Sequence, residues 1–271
     1  MSFFRGTRMA LAAVAWMGLA VSAGTQAAER PLRVGVIPVV ANAATELAVA
    51  KAREEGLEVE LIELNDWVMP NRAVADGSID VNFFQHQPFL EQFNRSQGSE
   101  LMPIAYGYST TMGIYSKKLG KGDPIPPQAT IAVPGDPVNT ARALLLLQSA
   151  GLLKLRPGAT HEATLADIVE NPLALEIVQI DGAHSTRSFD DVTASVTYAS
   201  FAKLAGIDER DALFYDNTDP DNVRRYAIRW VTLPERADDP RILRFIEIYQ
   251  QTPEVREKLQ QLYGELISFP W

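Results

Sequence analysis

His86, His161 and His184 are the only histidines in this 271-residue chain, which contains no cysteine. An imidazole can act as a general base, a metal ligand or a polar contact in a cleft. None of the three stands at helical ligand spacing from another, so no zinc site is read from them. His86 has unusual surroundings, lying among aromatic residues in "DVNFFQHQPFLEQFN", residues 80–94. Without thiols, disulfides, thiolate metal sites and cysteine nucleophiles are excluded. The chain also lacks G-x-S-x-G, Walker, G-x-G-x-x-G and H-E-x-x-H motifs. The carboxylate pairs Asp190–Asp191 and Asp238–Asp239 read as helix caps. No catalytic set, metal or cofactor is expected, and the chain does not read as an enzyme.

A second candidate lies in "VPGDPVNTARALLLLQ", residues 133–148. Asp136 and Asn139 suit a turn or an N-cap, so a helix start is expected to face a cleft. Arg142 is expected in the first turn, where the helix dipole disfavours a cation. Its planar fork suits a carboxylate held bidentately, and a surface salt bridge fits the same sequence equally well.

Several elements must position these residues. "PLRVGVIPVV" reads as a buried strand, "ANAATELAVAKAREEG" as a helix closed by glycine, and "LEVELIEL" as a strand. "NRAVADGSIDVNFF" gives a short helix, a Gly turn and a strand. "ATIAVPGDP" is a strand entering a turn, and "VNTARALLLLQSAGLLKL" is an apolar helix ending near Gly151. "LADIVENP" reads as a short helix, "ALEIVQID" as a strand and "SFDDVTASVTYASFAKLAG" as a strand passing into a helix. A strand, "YAIRWVTL", and two helices, "PRILRFIEIYQ" and "PEVREKLQQLYGELI", finish the chain. This rhythm predicts an α/β protein with two lobes, each a mostly parallel sheet flanked by helices, around a ligand cleft.

Residues 1–27 have the layout of a cleaved secretory signal peptide. Arg5 and Arg8 precede a short apolar run, and Thr25 and Ala27 suit cleavage after Ala27, with Ala23 and Ala28 as alternatives. The apolar run is shorter than the roughly 20 residues a membrane span needs. Cleavage at Ala27 leaves 23 basic and 34 acidic residues, a net charge of −11. Such acidity argues against nucleic-acid binding and for solubility. The expected organisation is signal peptide 1–27, first lobe 28–112, second lobe 113–225 and a return to the first lobe over 226–271.

The mature chain resembles the methionine-binding lipoprotein (NlpA) family, the solute-binding subunits of methionine-type ABC importers. The resemblance runs from "RVGVIP" to the final Trp271 through "NDWVMPNRAVADGSIDVNFFQHQPFLEQFN", "IYSKK", "AVPGDPVNTARALLLLQSAGLLKL", "DIVENPLALEIVQIDGAHSTRSFDDV" and "YASFAKLAGI". It implies a two-lobed periplasmic-binding fold of type II kind, a small amino-acid-type ligand, and an ABC permease and ATPase as partners. It also implies that Trp67 and Phe84 grip an apolar or thioether side chain, His86 makes a polar contact, and Arg142 pairs with a carboxylate.

The chain departs from the family at two amides that accept the ligand's ammonium group. Tyr198 stands at the first, and Arg225 or Ile228 falls at the second, with Asn222, Asp219 and Asp221 nearby. Free methionine is therefore expected to bind weakly, and a ligand with a carboxylate and a masked, missing or displaced amine to bind better. Without a cysteine to carry the family's lipid, the mature protein is expected free in the periplasm of a two-membraned bacterium. A cleft-binding sensor with a non-methionine ligand, such as an N-acylated amino acid, a peptide or a small organic acid, is the alternative.

Overall fold

A computed structural model describes Met1, residues 30–216 and residues 220–271; the expected signal peptide and Asp219 lie outside the described residues, Met1 apart. The first sheet has the strand order 59–63, 32–36, 81–86, 228–232, 102–106. Its first three strands are parallel, while Ile228–Thr232 runs antiparallel to both neighbours. Leu32–Val36 carries two β-branched residues, Val34 and Val36, and is nearly all buried because helices cover both sheet faces.

Helix Asn42–Glu54 buries Ala44, Ala48 and Ala52, one residue per turn, and these small side chains allow close packing of the terminal helices Pro240–Gln251 and Pro253–Tyr263. Trp230 stacks on Phe83 with centroids 3.9 Å apart, and Tyr249 meets both rings edge-on. Gly107 is required beside them, since a Cβ there would lie 2.2 Å from the Phe83 ring.

The second sheet has the order 176–180, 130–134, 194–198, 112–115, 214–215. Its first three strands are parallel, and Met112–Tyr115 is antiparallel to both neighbours. Helix Pro137–Ser149 supplies much of its apolar cover through Ala141, Leu144 and Leu147. The chain crosses between sheets after Tyr106 and again before Ile228. The first crossing is tied to the C-terminus by pairing of Ser109–Thr110 with Ile267–Ser268.

The two-lobed α/β organisation is present, and in each mostly parallel sheet one strand runs antiparallel to both its neighbours. "LADIVENP" is different from its reading as a helix: a single 3₁₀ turn, Leu165–Asp167, leads into strand Ile168–Glu170. Asp167 satisfies the Thr164 backbone N–H at 2.7 Å, and the strand then pairs with Lys154–Leu155. Two β-branched residues in sequence, Ile168 and Val169, favour that extended pairing.

Candidate functional site

His86 ends strand Val81–His86 and is also the N-cap of helix Gln87–Gln97. Pro88 sits in the helix's first turn, where its missing N–H costs nothing. The His86 Nδ1 accepts the backbone N–H of Phe89 at 3.2 Å. The ring proton therefore sits on Nε2, which points across to the second lobe. There it donates to Asn139 Oδ1 and the Tyr198 hydroxyl oxygen, each at 3.1 Å.

Asn139 is locked from the other side. Asp136 caps helix Pro137–Ser149 by accepting the Asn139 backbone N–H at 2.9 Å, and its carboxylate also accepts both Asn139 side-chain contacts at 3.0 and 3.1 Å. That fixes the amide with Oδ1 toward the cleft, where it also accepts the Tyr198 O–H at 2.6 Å. His86 is buried, and burial, reinforced by the charge of Arg142, lowers its pKa to about 3. It is a neutral hydrogen-bonding link between lobes.

This link forms part of the wall of a cavity between the two sheets, about 660 Å³ including its solvent-open mouth. The first lobe contributes Trp67, Phe84, Gln85, His86 and Phe89; the second contributes Asn139, Tyr198, Ser200 and Phe201. Trp67 lies 6.1 Å from Phe89 and 5.9 Å from Phe201, centroid to centroid, so it joins aromatic groups of both lobes. Gly182, at the end of the second sheet, admits it: a Cβ would fall 2.2 Å from the indole. The Trp67 Nε1–H is buried and meets no acceptor among the described residues. Gln85 is held by buried Asn71 and Asn82, the Asn71 amide donating to Gln85 Oε1 at 2.8 Å.

Four residues singled out in the sequence, Trp67, Phe84, His86 and Tyr198, thus line one cavity. The two arginines do not. Arg142 is in the second turn of its helix, not the first, because the helix starts at Pro137. It is buried, and its Nε donates to Asp216 Oδ2 at 2.8 Å while Nη2 reaches the same oxygen. Tyr226 covers its guanidinium at 3.7 Å, and Nη1 reaches the Tyr198 hydroxyl at 3.5 Å. Asp216 also accepts the Met112 N–H at 3.0 Å. Burial raises the Asp216 carboxyl, against the opposing pull of Arg142. The pair borders a small polar pocket at the chain crossing, beside Thr111 and Asn222.

Arg225, expected near the ligand, is exposed on helix Pro220–Tyr226 and lines a different groove with Glu91 and His161. The helical register points its side chain away from Tyr226, which faces inward. Asp221 is exposed as well, and Ile228 lines the cavity. Phe89 also faces the cavity, because the turn at Pro88 orients the helix's first turn toward the second lobe. Phe93, one turn on, is buried with Leu90, Leu101 and Val231. Asn139 was read only as a cap; nothing in a one-dimensional pattern shows that its amide also bridges to His86.

The NlpA lipoprotein family model matches residues 32–269. The chain belongs to the NlpA lipoprotein family. It is 34% identical over 237 residues to the D-methionine-binding lipoprotein MetQ of Escherichia coli K12, covering 86% of each chain. A nutrient binding protein from Burkholderia cenocepacia, solved bound to methionine, superposes with a TM-score of 0.81 at 33% identity, covering 89% of this chain and 100% of that one. An ABC transporter periplasmic substrate-binding protein from Coxiella burnetii gives a TM-score of 0.80 at 34% identity, covering 88% and 99%. The polar groups lining that cavity include Tyr198, Asn139, Gln85, Ser200 and a neutral His86, and no metal-binding cluster of His, Asp or Glu occurs among the described residues.

Proposed function

We propose that this protein is the solute-binding component of an ABC importer. It captures a small amino-acid-type ligand in the interlobe cavity and delivers it to a permease and ATPase complex. The observation that carries this reading is the cavity itself, whose wall is completed only when side chains of both lobes meet. A ligand there stabilises the closed arrangement in proportion to its contacts with both halves. Similarity to methionine-binding relatives supports an amino-acid-type ligand, and similarity to an ABC-transporter component supports the partner.

Trp67, Phe84, Phe89 and Phe201 form the apolar grip for the ligand side group, where burial and sulfur–aromatic or ring–ring contact provide affinity. His86, Asn139 and Tyr198 form the polar end. The mature protein works in the periplasm after loss of an N-terminal signal segment, and its role is binding rather than catalysis. A thermal-shift screen against L- and D-amino acids, their N-acyl and amide derivatives and small peptides tests the reading. At least one compound should raise Tm saturably, and Trp67→Ala should abolish that shift. A screen in which no such compound raises Tm would refute it.

A further inference from the structure

We infer that Asp216 is the acceptor for the ligand's free α-ammonium group and so selects amino acids over their deaminated counterparts. The inference rests on the proposed role of the interlobe cavity, whose polar end it extends into the small pocket beside Arg142.

The pocket and the cavity adjoin. Thr110 lines both of them. Tyr198 stands at the same boundary, on the cavity wall with its hydroxyl 3.5 Å from Arg142 Nη1. A ligand with its side group against Trp67 and Phe84 therefore has its polar end beside the Arg142–Asp216 pair.

That pair is neutral as a unit, and its hydrogen-bonding capacity is not exhausted. Arg142 engages Asp216 Oδ2 side-on, through Nε and Nη2. The other edge of the guanidinium, with one proton from each Nη, still suits a planar anion. Asp216 Oδ1 accepts the Met112 N–H at 3.0 Å and retains a second lone pair. One partner thus has donors left and the other an acceptor, which is the complement of a zwitterion. Thr111 borders the same pocket with a buried hydroxyl that has no partner among the described residues.

Other acceptors nearby are less suited to an ammonium group. In the interlobe link, Asn139 Oδ1 already accepts from Tyr198 and His86, and the Tyr198 oxygen also accepts from His86. Glu265 borders the pocket but is exposed, where water and salt screen its charge. The Asp216 side chain is only 9% exposed, so its attraction for a cation is weakened far less. A free amine is therefore favoured, contrary to the weak binding expected from the loss of two amides.

Matched ligand pairs test this. Methionine, leucine and phenylalanine, each with the counterpart in which hydrogen replaces the amino group, are titrated by calorimetry into the full chain and into Asp216→Asn. In the parent, the amino acid with the preferred side group should bind about tenfold or more tighter than its counterpart. In Asp216→Asn that preference should vanish, with the deaminated acid bound as well as before or better, because Arg142 is released to its carboxylate. Equal weakening of both ligands would mean that Asp216 only supports the fold, and the inference would fall. It would fall too if the parent showed no preference or the variant kept it, while the solute-binding role would stand. Binding of no compound to the parent would remove both.

A measurement on the parent alone covers the case in which Asp216→Asn does not fold. The Met112 N–H and the ammonium group would share Asp216 Oδ1. Nuclear Overhauser contacts should therefore join the Met112 amide proton to the α-proton of the tightest-binding amino acid. A saturated complex without that contact would overturn the inference.

Discussion

His86 accepts the Phe89 N–H on Nδ1 at 3.2 Å, and this one bond assigns the ring's other nitrogen to the opposite lobe. A residue that caps a helix in one lobe thereby becomes a donor to Asn139 in the other. The two roles can be separated by substitution. Asparagine is itself a good N-cap, but its side chain is too short to span the cleft. His86→Asn should therefore keep the melting temperature within a few degrees of the parent while weakening ligand binding. His86→Ala should lose affinity and, in addition, about 0.5–2 kcal/mol of stability from the missing cap. Paired melting and calorimetry check this; equal affinity of His86→Asn and the parent would refute the interlobe role.

The same burial makes stability depend on pH in a defined window. In the unfolded chain His86 titrates near 6.5, but in the folded protein its pKa is lowered to about 3 by burial and by Arg142. Its neutral form dominates in both states well above pH 6.5, so little pH dependence arises from it there. Below 6.5 the unfolded chain binds a proton that the folded protein refuses. Stability should then fall by about 1.4 kcal/mol per pH unit until the folded value is approached. Urea unfolding at pH 7, 6, 5 and 4 should show a steeper decline for the parent than for His86→Asn. Parallel curves would exclude His86 as the cause.

Much of the fold was legible because its signals are local. Proline at helix starts, as in Pro88, Pro137 and Pro240, and β-branched runs such as "LRVGV" mark their elements directly. The mixed sheets were not legible, since a buried strand such as Ile228–Thr232 reads identically in either direction. In the site, Trp67, Phe84, His86 and Tyr198 were found through the family resemblance. The fate of Arg142 was hidden because Asp216, its partner, lies 74 residues away, and no pattern in sequence reports so distant an ion pair. Arg225 was one of two alternatives in an uncertain register; it is exposed on its helix, whereas the other, Ile228, lines the cavity.

Phe89 and Phe93 should give opposite phenotypes. Phe93 is buried in a small cluster with Leu90, Leu101 and Val231, whereas Phe89 is half-buried at the cavity wall against Trp67. Phe93→Ala leaves a core void and should cost about 3–5 kcal/mol of stability. Phe89→Ala should cost less stability and weaken ligand binding at least tenfold. Chemical denaturation with ligand titration on both variants tests the assignment, and a more stable Phe93→Ala than Phe89→Ala would contradict it.

Trp67 and Gly182 test whether binding and lobe contact are coupled. A Cβ at Gly182 would lie 2.2 Å from two carbons of the Trp67 six-membered ring and 2.8 Å from a third. The indole cannot yield freely, because Phe89 and Phe201 flank it. Gly182→Ala should thus disfavour the closed arrangement by about 1–3 kcal/mol, as overpacking generally does. That corresponds to roughly 5- to 150-fold weaker binding. Trp67→Ala should also weaken binding, by removing the aromatic grip. In the double variant the added methyl group has no ring to strike, so the two losses should not add. Calorimetry on the parent, both single variants and the double variant measures that coupling. Strict additivity would show that Gly182 acts elsewhere than against the indole.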